Sequence, residues 1–317
     1  VSTTDAAAPT GPTALSPSGA ALWAQCQQRW WYRYVDHLPE PPPGEPAILG
    51  TFVHHILELL LGEPASQRTI ERARELARVA WADIETSDDW AALGLSDQAA
   101  LRFRHRAWAT VGAYFAFEDP NTVQPVAREL EVRTEVAGVP FRGFIDLVAL
   151  ADAPADDPRP AIVVTDYKTG QPPVTGKPWS DEQLAERLLQ PQWYAAALEA
   201  LGEHRPVKAR LVYFTAADDR RGPGFTTRSA ELAVDITPES LTHAGAELRR
   251  RWDAITTALA TGEVAHSAGP LCGWCPFVAT CSAGQAECRQ RWSTTNNVTG
   301  ERRLRDDAPA VTLLGLS

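Results

Sequence analysis

Four consecutive apolar side chains, Leu211, Val212, Tyr213 and Phe214, sit inside the run Lys208–Thr215. A strand of that kind is stable only when both of its faces are covered. The chain must therefore build a sheet with helices on either side. Three further runs read as strands: Glu129–Val136, Phe141–Leu150 and Ala161–Tyr167, with an Asp/Pro-rich linker at 151–160 between the last two. The strongly amphipathic run Asp181–Leu201 supplies one covering helix. The expected fold class is α/β, a mixed central sheet flanked by helices.

Other helices follow from local signals. Ser16 caps a start with Pro17 in the first turn, and the pattern continues to about Tyr34 as one helix. The prolines from Pro39 to Pro46 force an extended connection. Leu49–Leu61 is apolar on nearly every side, interrupted by His54, His55 and Glu58, and reads as a buried helix. Residues 66–118 show no strand-like alternation and read as a helical insertion of two or three helices. A hairpin near Gly222–Gly224 and a helix over Pro238–Thr261 are expected next. The domain reading is a flexible leader at 1–14 and a single domain at 15–290. Within that domain lie a helical insertion at about 64–120, a core at about 121–235 and a cysteine-rich segment at 270–290. A loose tail occupies 291–317.

Composition narrows the class of partner. The 317 residues include no run of 18 apolar positions, which disfavours a membrane span, and Val1–Pro12 lacks the basic start and apolar region of a secretory signal. The formal charge of −10 argues against a broadly basic coat for nucleic acid, though not against a local basic groove. Four of the five cysteines fall between Cys272 and Cys288, and the fifth is Cys26. This is unlike a small secreted disulfide scaffold, and it fits a metal or cluster site in a reducing, cytoplasmic setting.

Chemistry concentrates at two strand ends, Gly143-Phe144-Ile145-Asp146 and Thr165-Asp166-Tyr167-Lys168-Thr169-Gly170. Two carboxylates at adjacent strand ends suit a hard divalent cation, and a neighbouring lysine can position water or offset developing charge. An Asp-x-Lys of this kind equally describes a surface ion pair. Gly50 to His54 places a histidine in the apolar helix with Glu58 one turn on; Gln190 and Tyr194 lie one turn apart on a later helix. Cys272-x2-Cys275-x5-Cys281 with a distant Cys26 departs from the paired spacing of zinc ribbons, leaving zinc, an iron–sulfur cluster or buried thiols open. Gly170 to Lys177 misses the Walker spacing, and neither a Gly-x-Ser-x-Gly elbow nor His-Glu-x-x-His occurs.

With four features in this order, the chain resembles the RecB-like exonuclease branch of the PD-(D/E)XK nuclease superfamily, over roughly Ser16 to Cys281. That family's G-x-x-x-H, G-x-x-D, D-x-K and Q-x-x-x-Y motifs match Gly50–His54, Gly143–Asp146, Asp166–Lys168 and Gln190–Tyr194. The resemblance implies a restriction-endonuclease-like core in which His54, Asp146, Asp166 and the backbone carbonyl of Tyr167 hold Mg or Mn. Lys168 would assist the water, and Gln190 and Tyr194 would hold the active site or a DNA strand. Glu58 is a candidate for outer support only, and His55 has no role. The cysteine layout is similar to AddB-like and CRISPR adaptation nucleases, which implies a 4Fe-4S cluster on Cys26, Cys272, Cys275 and Cys281 joining the two ends of the chain, with Cys288 a spectator. The implied activity is metal-dependent hydrolysis of DNA, on single strands or ends, in recombination and repair, with a helicase or another repair protein as partner. The alternatives are a non-catalytic DNA-binding scaffold of the same fold and a CRISPR spacer-acquisition nuclease. The aromatic stretch Trp23, Trp30, Trp31, Tyr32 and Tyr34 is expected to pack around the cluster. Arg220, Arg221 and Arg249 to Arg251 are expected to be solvated. A DNA enzyme of this charge must also keep acidic stretches such as 83–89 and 151–157 away from its groove.

Overall fold

The computed structural model describes residues 10–152, 156–173, 178–220, 222–295 and 302–304. Two compact units emerge, one made of residues 1–41 with 249–317 and the other of residues 42–248.

The larger unit begins with α3 (Glu45–Gly62), after α1 (Pro17–Gln25) and α2 (Gln27–Tyr34) of the smaller one. Then come α4 (Ile70–Glu85), α5 (Asp88–Ala92) and α6 (Asp97–Phe117), whose starts are capped by Thr69, Ser87 and Ser96. Strands β1 (Pro125–Val136), β2 (Val139–Leu150) and β3 (Ala161–Lys168) lead through α7 (Pro178–Leu201) to β4 (Arg205–Asp218) and β5 (Phe225–Asp235). The five strands form one sheet in sequence order. Only β3 and β4 run parallel, and α7 is their crossover; the other neighbours are antiparallel. The sheet is mixed and flanked by helices, as its apolar runs require.

Opposite faces of the sheet meet different helices. Phe141 on β2 packs against Tyr194 of α7, while Tyr167 on β3 and Phe214 on β4 pack against Tyr114 of α6. Beneath α3, α4 and α6 lies an apolar core that includes Val53, Leu57, Leu60, Phe103, Val111 and Tyr114, all essentially without exposed surface. A nearly buried Arg210 bridges this face to the sheet, donating to Thr165 Oγ1 at 2.8 Å and to Glu118 Oε1 at 2.7 Å.

In the smaller unit the expected single helix from Ser16 to Tyr34 is two helices. The break is at Cys26, whose extended backbone (φ −164°, ψ 110°) ends α1 and starts α2. Tertiary contacts replace the lost helical pairing: the Gln28 N–H donates to Ala265 O at 3.2 Å. Trp30 meets Trp23 edge-on and Tyr34 at a tilt, and Tyr32 meets Phe277. Arg251, expected to be solvated, is 2% exposed and donates to Ala20 O. It lies on α8 (Pro238–Thr261), within which the boundary between the units falls. A short 3-10 turn over Pro270–Trp274 and α9 (Ser282–Trp292) follow. Where a loose tail was expected, β6 (Ser293–Thr295) pairs antiparallel with β7 (Arg302–Leu304). Residues 296–301 and 305–317 of that tail, residues 1–9 of the expected leader and Arg221 lie outside the described residues. Among the described residues no helix is long and apolar enough to cross a membrane.

Candidate active site

The site sits where the ladder between β2 and β3 ends. Those strands pair from Leu150–Ile162 to Leu147–Thr165, and the next residue on each is an aspartate, Asp146 and Asp166. With the ladder ended, the Tyr167 N–H donates to Asp146 Oδ2 at 2.6 Å. On the other side of β2, Arg128 pairs with Leu147 and Leu130 with Ile145, so Glu129 stands across from Asp146. Glu129 itself has a left-handed backbone, φ 44°. Three carboxylates from three adjacent strands therefore stand in one row.

Helix α3 brings His54 to this row. Its Nδ1 lies 3.7 Å from Asp146 Oδ2, and one ligand atom each from His54, Glu129 and Asp146 fall within 4.8 Å of one another. Arg128 ties β1 to the helix, donating to Glu58 O at 2.6 Å across the surface of Gly62, where a Cβ would lie 2.1 Å from the guanidinium. Gly50, one turn before His54, faces Thr169 Oγ1 at 3.2 Å from where its Cβ would be, so a small residue lets α3 close onto the end of β3.

Asp166 is 4% exposed and engaged twice: Gln190 Nε2 donates to Oδ1 at 2.6 Å, and Lys168 Nζ lies 2.6 Å from Oδ2. Lys168 also donates to Gln190 Oε1 at 3.1 Å, closing a three-membered ring. Tyr194, one turn beyond Gln190, is buried and lies directly on Gly143; a Cβ there would come within 2.6 Å of its ring. The glycine of one motif and the tyrosine of another are thus a single contact. Tyr194 supports the strand carrying Asp146, and its hydroxyl also bonds with the Gln190 side chain; burial, then the charges of Asp166 and Asp146, raise its pKa and keep it protonated.

The electrostatics are those of crowded acids short of positive charge. Burial, then the charge of Asp146, pushes Glu129 up to about 7. Burial, then Asp166, raises Asp146 well above the usual carboxylate range. Burial lowers the His54 pKa against the pull of Asp166 and Glu129, favouring the neutral imidazole that ligates metals. A hydrogen bond with the Tyr167 backbone opposes that shift, as a carbonyl acceptor does, so the Tyr167 carbonyl adjoins His54. A divalent cation is the group that relieves such a set. The row opens into a cleft of about 400 Å³ lined by Thr51, His54, His55, Glu58 and Glu129.

His54, Asp146, Tyr167, Asp166, Lys168, Gln190 and Tyr194 are thus brought together. Glu129 is the addition. The sequence hid it because its neighbours alternate as an ordinary strand and only pairing register puts it across from Asp146. Glu58 faces the cleft, and His55 lies 3.9 Å from Asp83.

The description "PD-(D/E)XK nuclease superfamily" fits residues 14–282, about five sixths of the chain. The chain belongs to the PD-(D/E)XK nuclease superfamily. Among curated proteins none matches. Among solved structures, a candidate exonuclease from Eubacterium rectale aligns at TM-score 0.48 and 11% identity, over 80% of this chain and 85% of its own. The protein SSO0001 aligns at TM-score 0.31 and 15% identity, over 75% and 95%. Likeness at this level carries no more than a broad similarity of shape.

In the smaller unit Cys26, Cys272 and Cys275 line a cavity of about 180 Å³. The Tyr32 hydroxyl is raised by burial and then by the charges of Cys281, Asp36, Cys275 and Cys26. Backbone N–H groups of Gly269 and Gly284 donate to the sulfurs of Cys272 and Cys281 at 3.4 and 3.3 Å. Cys288, by contrast, is fully buried beside Val278 and Trp292.

Proposed function

We propose that the protein is a cytoplasmic, Mg- or Mn-dependent deoxyribonuclease that trims single strands or DNA ends, in recombination and repair. The observation that carries this is the row Glu129, Asp146 and Asp166 against His54, with Lys168 and Gln190 locked onto Asp166. Membership of a nuclease superfamily supports phosphodiester hydrolysis as the reaction. His54, Asp146, Asp166 and the Tyr167 carbonyl would hold the divalent ion, with Glu129 completing the set. When bound, the ion supplies Lewis-acid polarisation of the scissile phosphate. Lys168 directs its ammonium toward the attacking water and the developing phosphate charge. Gln190 keeps Lys168 and Asp166 in one geometry, and Tyr194 keeps β2 in place through Gly143.

Cys26, Cys272, Cys275 and Cys281 would hold a 4Fe-4S cluster, with zinc as the alternative. The fit rests on thiols converging from both ends of the chain, on the cavity beside them and on N–H donors to sulfur. A structural role accords with that placement. Broad visible absorption and matching iron and sulfide content after anaerobic purification would support the cluster. Colourless protein containing zinc would replace it.

Cleavage of labelled oligonucleotides, compared with and without Mg or Mn, tests the enzyme reading. Asp166→Ala and Lys168→Ala are expected to lose about 100-fold or more. Equal digestion by all three proteins would remove the site and leave a DNA-binding scaffold. Whether the enzyme serves repair or spacer acquisition is tested by which of those processes fails when the gene is deleted.

A further inference from the structure

Helices α3, α4 and α6 enclose a groove of about 270 Å³ apart from the acidic row. Phe52 and Ile56 form its floor, Trp81 and Trp108 its walls, and Arg74, Arg78 and Arg104 its rim. No carboxylate lines it, in a chain with 40 acidic and 30 basic residues.

The arginines are arranged unlike their neighbours. Arg72 on α4 holds Glu63 and Glu75, while Arg102 and Arg106, on either side of Arg104, hold Asp218 and Glu45. Among the described residues Arg74, Arg78 and Arg104 form no ion pair. Two of them lie over indoles instead: Arg74 is 4.9 Å from the Trp108 ring centroid and Arg104 is 5.2 Å from that of Trp81. Of the acids on α4, Glu75 is held by Arg72, and Glu85 accepts from Trp81 Nε1 at 2.6 Å. A guanidinium stacked on a ring is held in orientation while its N–H edge stays open to an anion. An apolar floor of this size with two such edges and the exposed Arg78 beside them matches a flat ring carrying phosphate.

We propose that this groove is a second nucleic-acid subsite, taking one unpaired nucleotide of a single strand, its base on the apolar floor and its flanking phosphates on the three guanidinium edges. The proposal rests on the nuclease reading for the source of the strand. Phe52 and Ile56 lie two residues either side of His54, which helical spacing puts on the opposite face of α3, about 10 Å across. A strand engaged at both places must pass around the helix. The groove therefore helps long substrates and does nothing for short ones.

The full-length protein carrying Arg74→Gln, Arg78→Gln and Arg104→Gln tests this, with the three Arg→Lys changes as a charge-retaining control and thermal melting to verify the fold. Fluorescence anisotropy with labelled oligothymidylate, in EDTA so that nothing is cut, should show binding weakened about tenfold or more by the Gln variant. The slope of log affinity against log salt should fall by about 1.4, near 0.7 for each of the two flanking phosphates no longer neutralised. The Lys control should keep most of that slope, and cleavage of a thymidine dinucleotide should not change. A 5-bromouracil oligonucleotide should photo-crosslink to the peptide containing Trp81 or Trp108. Unchanged affinity and slope, or crosslinks confined to other peptides, overturn the proposal. So does binding of an oligoglutamate peptide in place of oligothymidylate, which would make the groove a dock for an acidic protein. The two readings fail separately. Absence of cleavage with the anisotropy difference intact sinks the nuclease and leaves the groove; normal cleavage with no anisotropy difference does the reverse.

Discussion

Glu129 shows how one residue carries both strain and chemistry. Its left-handed backbone costs about 1–3 kcal/mol in a residue other than glycine. Its carboxyl titrates near 7, against an ordinary value of 4.5, chiefly because it is partly buried. Below about 4.5 the group is protonated in folded and unfolded chains alike. As pH rises from there to about 7, the unfolded chain releases the proton first, so the folded state loses stability across that window. In metal-free buffer, the melting temperature of Glu129→Gln is therefore expected to pull ahead of wild type between pH 5 and 7 and then run parallel to it. Two curves that stay parallel throughout would show that Glu129 is not so perturbed. Because a divalent ion favours the ionised form, Glu129→Gln should also bind Mn about tenfold or more weakly, measured by calorimetry without substrate.

At the scale of elements, the site is held by contacts that join one strand or helix to the next. Gly143 on β2 is covered by Tyr194 of α7 so closely that no Cβ fits. Gly143→Ala should cost about 1–3 kcal/mol in urea denaturation, and it should lower cleavage by shifting Asp146. Little change in either quantity would mean that α7 yields easily. On the opposite face, Arg210 ties β4 to Thr165, the residue before Asp166, and to Glu118 beyond the end of α6. Both partners of the Arg210–Glu118 pair are nearly buried, so Arg210→Leu strands a carboxylate and should cost about 3–5 kcal/mol. The double change with Glu118→Gln should recover part of that loss, which a merely misfolded variant would not.

Across the whole molecule, the proposed cluster would join chain segments separated by 246 positions, from Cys26 to Cys272. Cross-linking so long a loop removes entropy from the unfolded chain, a stabilisation of about 5 kcal/mol by the loop-closure argument. Replacing Cys26 or Cys272 with Ser should lower the melting temperature and strip the iron together. Cys288→Ala should keep the iron and lose only packing, since Cys288 is buried beside Val278 and Trp292. Iron loss in Cys288→Ala would reassign the ligands. Of the acidic stretch expected to keep clear of the groove, Asp83, Glu85, Asp88 and Asp89 are all exposed, but Asp83 lies 3.9 Å from His55 at the cleft, so the stretch is not kept away from the site as a whole.

The sequence by itself determined the layers of this protein and the residues of its motifs. Burial of Leu211 to Phe214 demanded a covered sheet, and the spacing of His54, Asp146, Asp166, Lys168, Gln190 and Tyr194 named a set of side chains, because periodicity and residue chemistry are local properties. Tertiary structure alone decided what those local patterns cannot encode. Register across two strands put Glu129 beside Asp146, and a backbone break at Cys26 divided a continuous helical pattern in two. Close approach of α7 to β2 turned Gly143 and Tyr194 into one contact, and the gap between α4 and α6 assembled Arg74, Arg78 and Arg104 around two indoles. Each of these depends on residues far apart in the chain meeting in space, and the free energy of that meeting is written in no single segment.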